Sequence, residues 1–272
     1  MKEAQTKKQS TIEIPNIDKY KYLSWHQRIV QYLAVVFLRT IERLYPLLSI
    51  HGDPTFYNPT MFKWTEKFEA NWEVIRQELE QVLQYKDNLP AFQDIAEDDA
   101  YLTKDKNWKT FWIYHYGAIP IENNVKRCPE TALLLSQVPG LVSALFSILE
   151  PHKHIEPHRG PFKGIVRCLL ALKIPEPREK VRIRVGSEIR HWQEGKFLVF
   201  DDTYNHEVWN DTDGVRVVLF MDVDRPLYFP LNLINKLIVK SFGISPKVRK
   251  MMENQAKWDL SNFSNQPKSS SP

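Results

Sequence analysis

The run Val215-Arg216-Val217-Val218-Leu219-Phe220-Met221-Asp222-Val223 has the nearly continuous apolar character of a strand buried on both faces. Apolar runs also occur at residues 144–149 and 164–174, residues 181–185 alternate as a half-exposed strand does, and residues 196–200 give a further short strand. Turn-forming residues separate the runs, at Gly160-Pro161, residues 175–177, Glu194-Gly195 and residues 211–214. Several short strands punctuated in this way favour a sandwich or barrel, so we expect a mainly β fold with flanking helices and a jelly-roll or cupin-like core.

Helical patterns lie on either side of the strand-rich region. Residues 65–85 place Phe68, Ile75 and Leu79 on one face at helical spacing, which predicts an amphipathic helix packed on a sheet. Residues 20–48 are also helical in pattern. We therefore expect three regions, which are a leader and amphipathic helix (1–52), a β domain (53–230) and a basic amphipathic helix with a disordered tail (231–272).

The composition is that of an ordinary soluble protein. The 272 residues are 43% apolar and 26% charged, with a net charge of +4. Residues 1–19 lack the apolar core of a signal peptide, and charges and Pro46 interrupt the most apolar helix, residues 29–48. Cys128 and Cys168 form no CxxC motif. These features predict a cytoplasmic protein.

The basic helical segments leave two interpretations open. They can contact the inner face of an anionic membrane peripherally, or pack on the core of the protein itself. Nucleic acid is not an expected partner, because a solvated helix face explains the cluster of lysines between residues 236 and 250.

Two histidines lie far apart in the strand-rich region. They occur in Glu156-Pro157-His158-Arg159-Gly160-Pro161 and in Asp201-Asp202-Thr203-Tyr204-Asn205-His206. Imidazoles bind borderline metals such as Fe(II), so both are candidate ligands. The alternatives are a surface loop for His158, a turn for His206, and a zinc site that His158 shares with His152 and His154. If His206 binds a metal, Asp201 or Asp202 is expected to orient its ring.

Two arginines interrupt apolar strands. Arg216 shares a strand face with Val218, and Arg167 shares one with Leu169. A guanidinium is costly to bury unless it is paired, so these residues suit two anionic ligands, a cosubstrate and a substrate. The alternative is that both faces reach solvent.

Taken together, these motifs resemble the aspartyl/asparaginyl β-hydroxylase family over about residues 147–222. The resemblance rests on His158-Arg159-Gly160-Pro161, Arg167, Trp192-Gln193-Glu194-Gly195-Lys196, residues 200–211 and Arg216. Residues 108–129 and 137–140 are closer to the bacterial lipid A hydroxylase branch. The resemblance implies a double-stranded β-helix and a dioxygenase that uses Fe(II), 2-oxoglutarate and O2 to hydroxylate an unactivated C–H bond.

The resemblance also implies roles for particular residues. His158 and His206 match the iron ligands of the family, and Gly160 stands where the usual triad of such enzymes has a carboxylate, as it does throughout this family. Arg216 matches the arginine that pairs with the distal carboxylate of 2-oxoglutarate, and Ser147 matches a serine that assists it.

Two further residues match the family pattern, one of them outside the best-matched stretch. Arg167 matches an arginine at the boundary between cosubstrate and substrate, and Trp108 resembles a tryptophan near the cosubstrate. Leu169 departs from the animal peptide hydroxylases, which have a histidine there. This difference puts an identical set of cosubstrate contacts in doubt.

The expected substrate is the acyl chain of a lipid of the lipid A type. One alternative is β-hydroxylation of Asp or Asn in a peptide or small molecule. An alternative of another class is a jelly-roll binding protein without turnover. The joint presence of His158, His206 and Arg216 favours the enzyme.

Overall fold

The computed structural model describes residues 24–258, so the predicted leader (1–19) and tail (261–272) lie outside the described residues. The α-helices are α1 (Trp25–Glu42), α2 (Tyr45–Leu48), α3 (Trp64–Ala70), α4 (Trp72–Leu83), α5 (Phe92–Ile95), α6 (Glu122–Arg127), α7 (Pro129–Ser136), α8 (Leu231–Gly243) and α9 (Pro246–Ala256). Short 3-10 helices cover Pro59–Met61, Lys86–Asn88, Glu97–Leu102 and Arg178–Lys180. The strands are β1 (Phe56–Tyr57), β2 (Trp108–His115), β3 (Ile119–Pro120), β4 (Leu141–Leu149), β5 (Lys153–His158), β6 (Ile165–Lys173), β7 (Val181–Val185), β8 (Glu188–His191), β9 (Phe197–Phe200), β10 (His206–Asn210) and β11 (Arg216–Asp224).

The strands form two antiparallel sheets. The larger has the order β1-β9-β6-β11-β4-β2-β3, and the smaller has the order β5-β10-β7-β8. From β4 to β11 the chain passes back and forth between the two sheets, with the hairpin β7–β8 as the one place where consecutive strands share a sheet. This winding is that of a double-stranded β-helix, so the predicted fold class is confirmed.

The space between the sheets is filled by apolar side chains from both. Leu149, Leu169 and Val218 of the large sheet pack with Ile183 and Val208 of the small sheet. Residues on the opposite side of β4, β6 and β11 are buried as well, beneath the helices. Burial on both faces explains why these three strands read as continuous apolar runs.

The amphipathic helix predicted over residues 65–85 is in fact two helices, α3 and α4, that meet at Asn71. The Asn71 side chain donates a 2.8 Å hydrogen bond to the Lys67 carbonyl. Such local side-chain bonds compete with the helical backbone and favour an interruption. The predicted apolar face is confirmed, because Phe68, Ile75 and Leu79 are buried in the core beneath the large sheet.

Helices α1, α2 and α8 form a third packed region at one end of the sandwich. Ile41 and Tyr45 pack there with Leu231 and Val239 of α8 and with Phe162. Helix α1 accounts for most of the helix predicted over residues 20–48 and ends at Glu42. None of the helices in the described range is long and apolar enough to cross a bilayer.

Candidate metal site

The two candidate histidines lie opposite each other in the small sheet. His158 ends β5, His206 begins β10, and the two residues are partners in the antiparallel register. Their ring centroids are 4.1 Å apart. The Phe200 ring lies 5.4 Å from that of His206, and His206 is buried while His158 is half-buried. The fold thus joins two histidines that are 48 residues apart in the chain.

The hydrogen bonds of both rings fix the same tautomer. Nδ1 of His158 lies 2.7 Å from the Glu156 carbonyl oxygen, and Nδ1 of His206 lies 2.9 Å from the Tyr204 carbonyl oxygen. A carbonyl can only accept, so each Nδ1 donates and each Nε2 keeps its lone pair. The expectation that Asp201 or Asp202 orients His206 is wrong, because the Tyr204 carbonyl takes the Nδ1–H of His206. Asp201 accepts from Thr203 and Lys163, and Asp202 pairs with Arg167.

Burial keeps both imidazoles uncharged at neutral pH. It lowers the pKa of His158 to about 4. It also takes the pKa of His206 well below its ordinary range, with a further contribution from the nearby His158 and Arg167. Two neutral imidazoles with adjacent free lone pairs suit a borderline cation such as Fe(II).

No carboxylate completes a three-residue ligand set within residues 24–258, where no group of three or more His, Cys, Asp or Glu side chains is placed to hold a metal. Gly160 donates a 2.7 Å backbone hydrogen bond to the Asp202 carbonyl, and a Cβ at this position would collide with the Asp202 carboxylate. Gly160 is therefore a steric requirement of this loop.

A buried guanidinium lies inside the sandwich, on the face that Val218 shares. Arg216 is 2% exposed, so the alternative of a solvent-facing strand is wrong for this residue. Its Cζ lies 4.2 Å from the centroid of the Trp192 ring, and its Nε has no hydrogen-bond partner among the described residues. Burial lowers the pKa of Arg216 to about 9.

Polar side chains of the neighbouring strands β4 and β2 lie on the same face of the sheet as Arg216. Trp108 and Arg216 both pair with Leu149 of β4, and Thr110 and Val218 both pair with Ser147. Trp108 Nε1 donates to Ser147 Oγ at 3.0 Å. In the described part of the chain, the buried atoms Thr110 Oγ1 and Trp192 Nε1 have no partner. Unsatisfied donors beside an unpaired cation are chemically suited to a carboxylate ligand.

Thr110 and Trp192, whose side chains lie close to the Arg216 guanidinium or on its face of the sheet, were not predicted as site residues. The available signal was weak for both residues. Trp192 begins the motif Trp192-Gln193-Glu194-Gly195-Lys196, and Thr110 is one polar residue in an aromatic strand.

Arg167 is half-buried and has carboxylate partners. Its Nε donates to Asp222 Oδ1 at 3.0 Å, and one terminal nitrogen lies 2.9 Å from Asp202 Oδ2. The guanidinium also lies 4.3 Å from the centroid of the Phe220 ring. Its charge is therefore already balanced by two carboxylates, whereas that of Arg216 is not.

The two histidines that precede His158 in the chain do not join the pair. His152 bonds Asp213 at 2.9 Å, and His154 bonds Glu207 at 3.0 Å while stacking on Trp209. The zinc alternative with His152 and His154 thus has no support in the described structure.

A double-stranded β-helix in which two neutral histidines face each other defines the chain as a β-helix protein with a candidate metal site. The family model for aspartyl/asparaginyl beta-hydroxylase matches residues 69–226. The chain belongs to this family and is an enzyme, as the sequence motifs predicted.

Two relatives illustrate the range of the family. The chain is 42% identical over 208 residues to an ornithine lipid ester-linked acyl 2-hydroxylase of Rhizobium tropici, covering 76% of this chain and 74% of the relative. It is 31% identical over 226 residues to the human aspartyl/asparaginyl beta-hydroxylase, covering 80% of this chain but 28% of the human protein. The first relative confirms the expected similarity to the bacterial lipid hydroxylase branch.

Among solved structures, a prolyl-4-hydroxylase of Pseudomonas putida is 16% identical, with 57% of this chain and 87% of that chain covered and a TM-score of 0.35. At this distance the fold assignment rests on the strand topology described above.

Proposed function

We propose that the protein is an Fe(II)- and 2-oxoglutarate-dependent dioxygenase that hydroxylates an acyl chain of a membrane lipid. The observation that carries the proposal is the pairing of two neutral imidazoles, 4.1 Å apart, with a buried guanidinium whose Nε has no partner in the described structure. When bound, Fe(II) and 2-oxoglutarate supply the activation of O2 that inserts one oxygen atom into a C–H bond.

The residues divide this work by their chemistry. His158 and His206 hold the iron through Nε2, because their Nδ1 atoms are engaged by backbone carbonyls. Arg216 binds the distal carboxylate of 2-oxoglutarate, assisted by Ser147 with Trp108 beside it. The orphaned donors of Thr110 and Trp192 serve the same carboxylate.

Arg167 is proposed to act on the substrate side. Asp202 and Asp222 hold its guanidinium in a fixed orientation, and Phe220 covers one of its faces. A guanidinium that is already neutralised offers a directed hydrogen bond rather than a full charge, which suits an ester or amide carbonyl of a lipid.

The substrate is proposed from the relative of higher identity. Its name specifies the ester-linked acyl chain of an ornithine lipid, and it covers most of both chains. We therefore propose such a lipid as the first candidate substrate and a lipid A acyl chain as the second. A membrane-lipid substrate implies work at the inner face of a bilayer by a cytoplasmic protein with peripheral contact.

The test offers the purified protein Fe(II), 2-oxoglutarate and O2 with three substrates in parallel, which are ornithine lipid, lipid A and an Asp/Asn-containing peptide. Succinate release and a mass gain of one oxygen are measured for each. Hydroxylated ornithine lipid is the expected product.

The outcomes separate the alternatives. Oxygen gain in lipid A or in the peptide alone replaces the proposed substrate by that class. If no substrate gains oxygen and the protein binds no Fe(II), the proposal fails as a whole.

A further inference from the structure

Helix α1 exposes an apolar side chain at every fourth position. Trp25, Ile29, Leu33 and Phe37 follow one stripe, and the exposed fraction of Phe37 is 58%. A continuous exposed stripe of large apolar residues is rare on a soluble monomer and marks a contact surface.

Two neighbouring elements extend this apolar surface. Leu47 of α2 is 78% exposed, Phe229 is 74% exposed, and Leu237 of α8 is 70% exposed. The elements are joined, because the Tyr228 amide donates to the Leu48 carbonyl at 2.8 Å and α2 and α8 share one buried cluster. We call the exposed faces of α1, α2 and α8, together with Phe229, the helical surface.

The charge on the helical surface has one sign. Arg43, Lys236 and Lys240 are exposed. The sequences of α1, α2 and α8 contain a single carboxylate, Glu42, which is buried and accepts from Arg159 at 3.0 Å. Exposed apolar side chains accompanied by exposed cations complement an anionic bilayer, in which the apolar groups enter the acyl region and the cations meet the headgroups.

The helical surface belongs to the same end of the fold as the metal site. Glu42 also accepts from the Lys163 amide at 3.1 Å, and Phe162 lies 5.4 Å, centroid to centroid, from Phe242 of α8. Residues 159–163, which directly follow His158, therefore rest on the helices that carry this surface.

We infer that the helical surface docks on an anionic phospholipid bilayer and so holds the end of the fold that carries His158 against the membrane. This inference rests on the proposed lipid substrate and identifies the surface that meets the bilayer.

Vesicle sedimentation tests it, with phosphatidylcholine vesicles that either contain or lack phosphatidylglycerol. The wild type is expected to bind the phosphatidylglycerol vesicles and to be released by salt. Lys236→Glu with Lys240→Glu is expected to lower partitioning at least about tenfold, since each cation near the surface is worth roughly fivefold. Phe37→Asp with Leu237→Asp is expected to lower it by a similar factor.

Matched controls change the same residue types elsewhere. Lys63→Glu with Lys126→Glu gives the same net charge, and Leu133→Asp alters an exposed leucine of α7. All variants lie at exposed sites, and circular dichroism melts establish that each is folded. Both controls are expected to bind vesicles as the wild type does.

Three outcomes would overturn the docking surface. They are a wild type that does not bind, double variants that bind as well as the wild type, and a concentration-dependent dimer in sedimentation velocity that replaces vesicle binding. Hydroxylation of detergent-dispersed lipid separates this from the proposed function. Lipid hydroxylation without vesicle binding refutes docking alone, and vesicle binding without hydroxylation of any lipid refutes the function alone.

Discussion

The guanidinium of Arg216 lies 4.2 Å from the centroid of the Trp192 ring and is buried. Among residues 24–258 it has no carboxylate partner of the kind that Arg182 has in Asp211. Arg182 also stacks on a tryptophan, Trp209, at 4.6 Å, but it is half-exposed and its terminal nitrogen lies 2.7 Å from Asp211. The two arginines make similar aromatic contacts, but only the charge of Arg182 is balanced by a carboxylate in the described structure. The buried one is the more costly to the free protein and the more available to an anion.

Replacing Arg216 by Met is expected to raise the KM for 2-oxoglutarate by at least about 100-fold, because a desolvated charge pair is worth several kcal/mol. The same change removes an uncompensated buried charge, so the free energy of unfolding of the cosubstrate-free protein should stay equal or rise. Succinate release and urea unfolding measure the two effects. Arg182→Met is the control, and an unchanged KM in Arg216→Met would refute the role.

Replacing His158 by Ala is expected to weaken Fe(II) binding by at least about tenfold, since loss of even an outer contact of a metal ligand has effects of that size. Anaerobic calorimetry measures the affinity directly. His154→Ala is the matched control, because His154 lies on the same strand but bonds Glu207 and stacks on Trp209. Equal affinities in the two variants would rule out His158 as a ligand.

The strands that are buried on both faces could be predicted closely from the sequence. The runs at residues 144–149, 164–174 and 215–223 correspond to β4, β6 and β11. Their apolar continuity reports burial, which is a local property of each strand. Strand β10 was not predicted, because His206-Glu207-Val208-Trp209-Asn210 mixes polar and apolar residues without clear alternation.

The site could be predicted only as a set of residue types. The motifs named His158, His206 and Arg216, but their proximity depends on the pairing of β5 with β10 and on the facing of the two sheets. The orienting groups were mispredicted for His206, because a carbonyl two residues away has no side-chain signal in the sequence. Contacts made by backbone atoms are invisible to motif reasoning.

Gly160→Ala is expected to destabilise the protein by about 1–3 kcal/mol, because the new methyl group meets the Asp202 carboxylate. A double-mutant cycle with Asp202→Ala isolates this contact. The double variant should lose less unfolding free energy than the two single variants lose together, by about 1 kcal/mol or more. Urea unfolding of the four proteins gives the coupling, and strict additivity would show that the collision is relieved elsewhere.

His115 is expected to make the protein sensitive to acid. It is 1% exposed, neither ring nitrogen has a partner among the described residues, and burial lowers its pKa from the ordinary 6.5 to about 4. Below pH 6.5 the unfolded chain binds a proton that the folded protein refuses, so stability is complete above that pH and falls as the pH drops toward 4.

Between pH 7.5 and pH 5, His115 should lower the free energy of unfolding by about 2 kcal/mol. His115→Phe is therefore expected to flatten the pH dependence of the free energy of unfolding by that amount, measured with urea on metal-free protein. His191→Phe removes an exposed imidazole and serves as the control. His158 and His206 contribute to the same window with the same sign, so the His115→Phe protein should retain part of the slope. An unaltered slope in His115→Phe would mean that the folded protein protonates His115 as readily as the unfolded chain does.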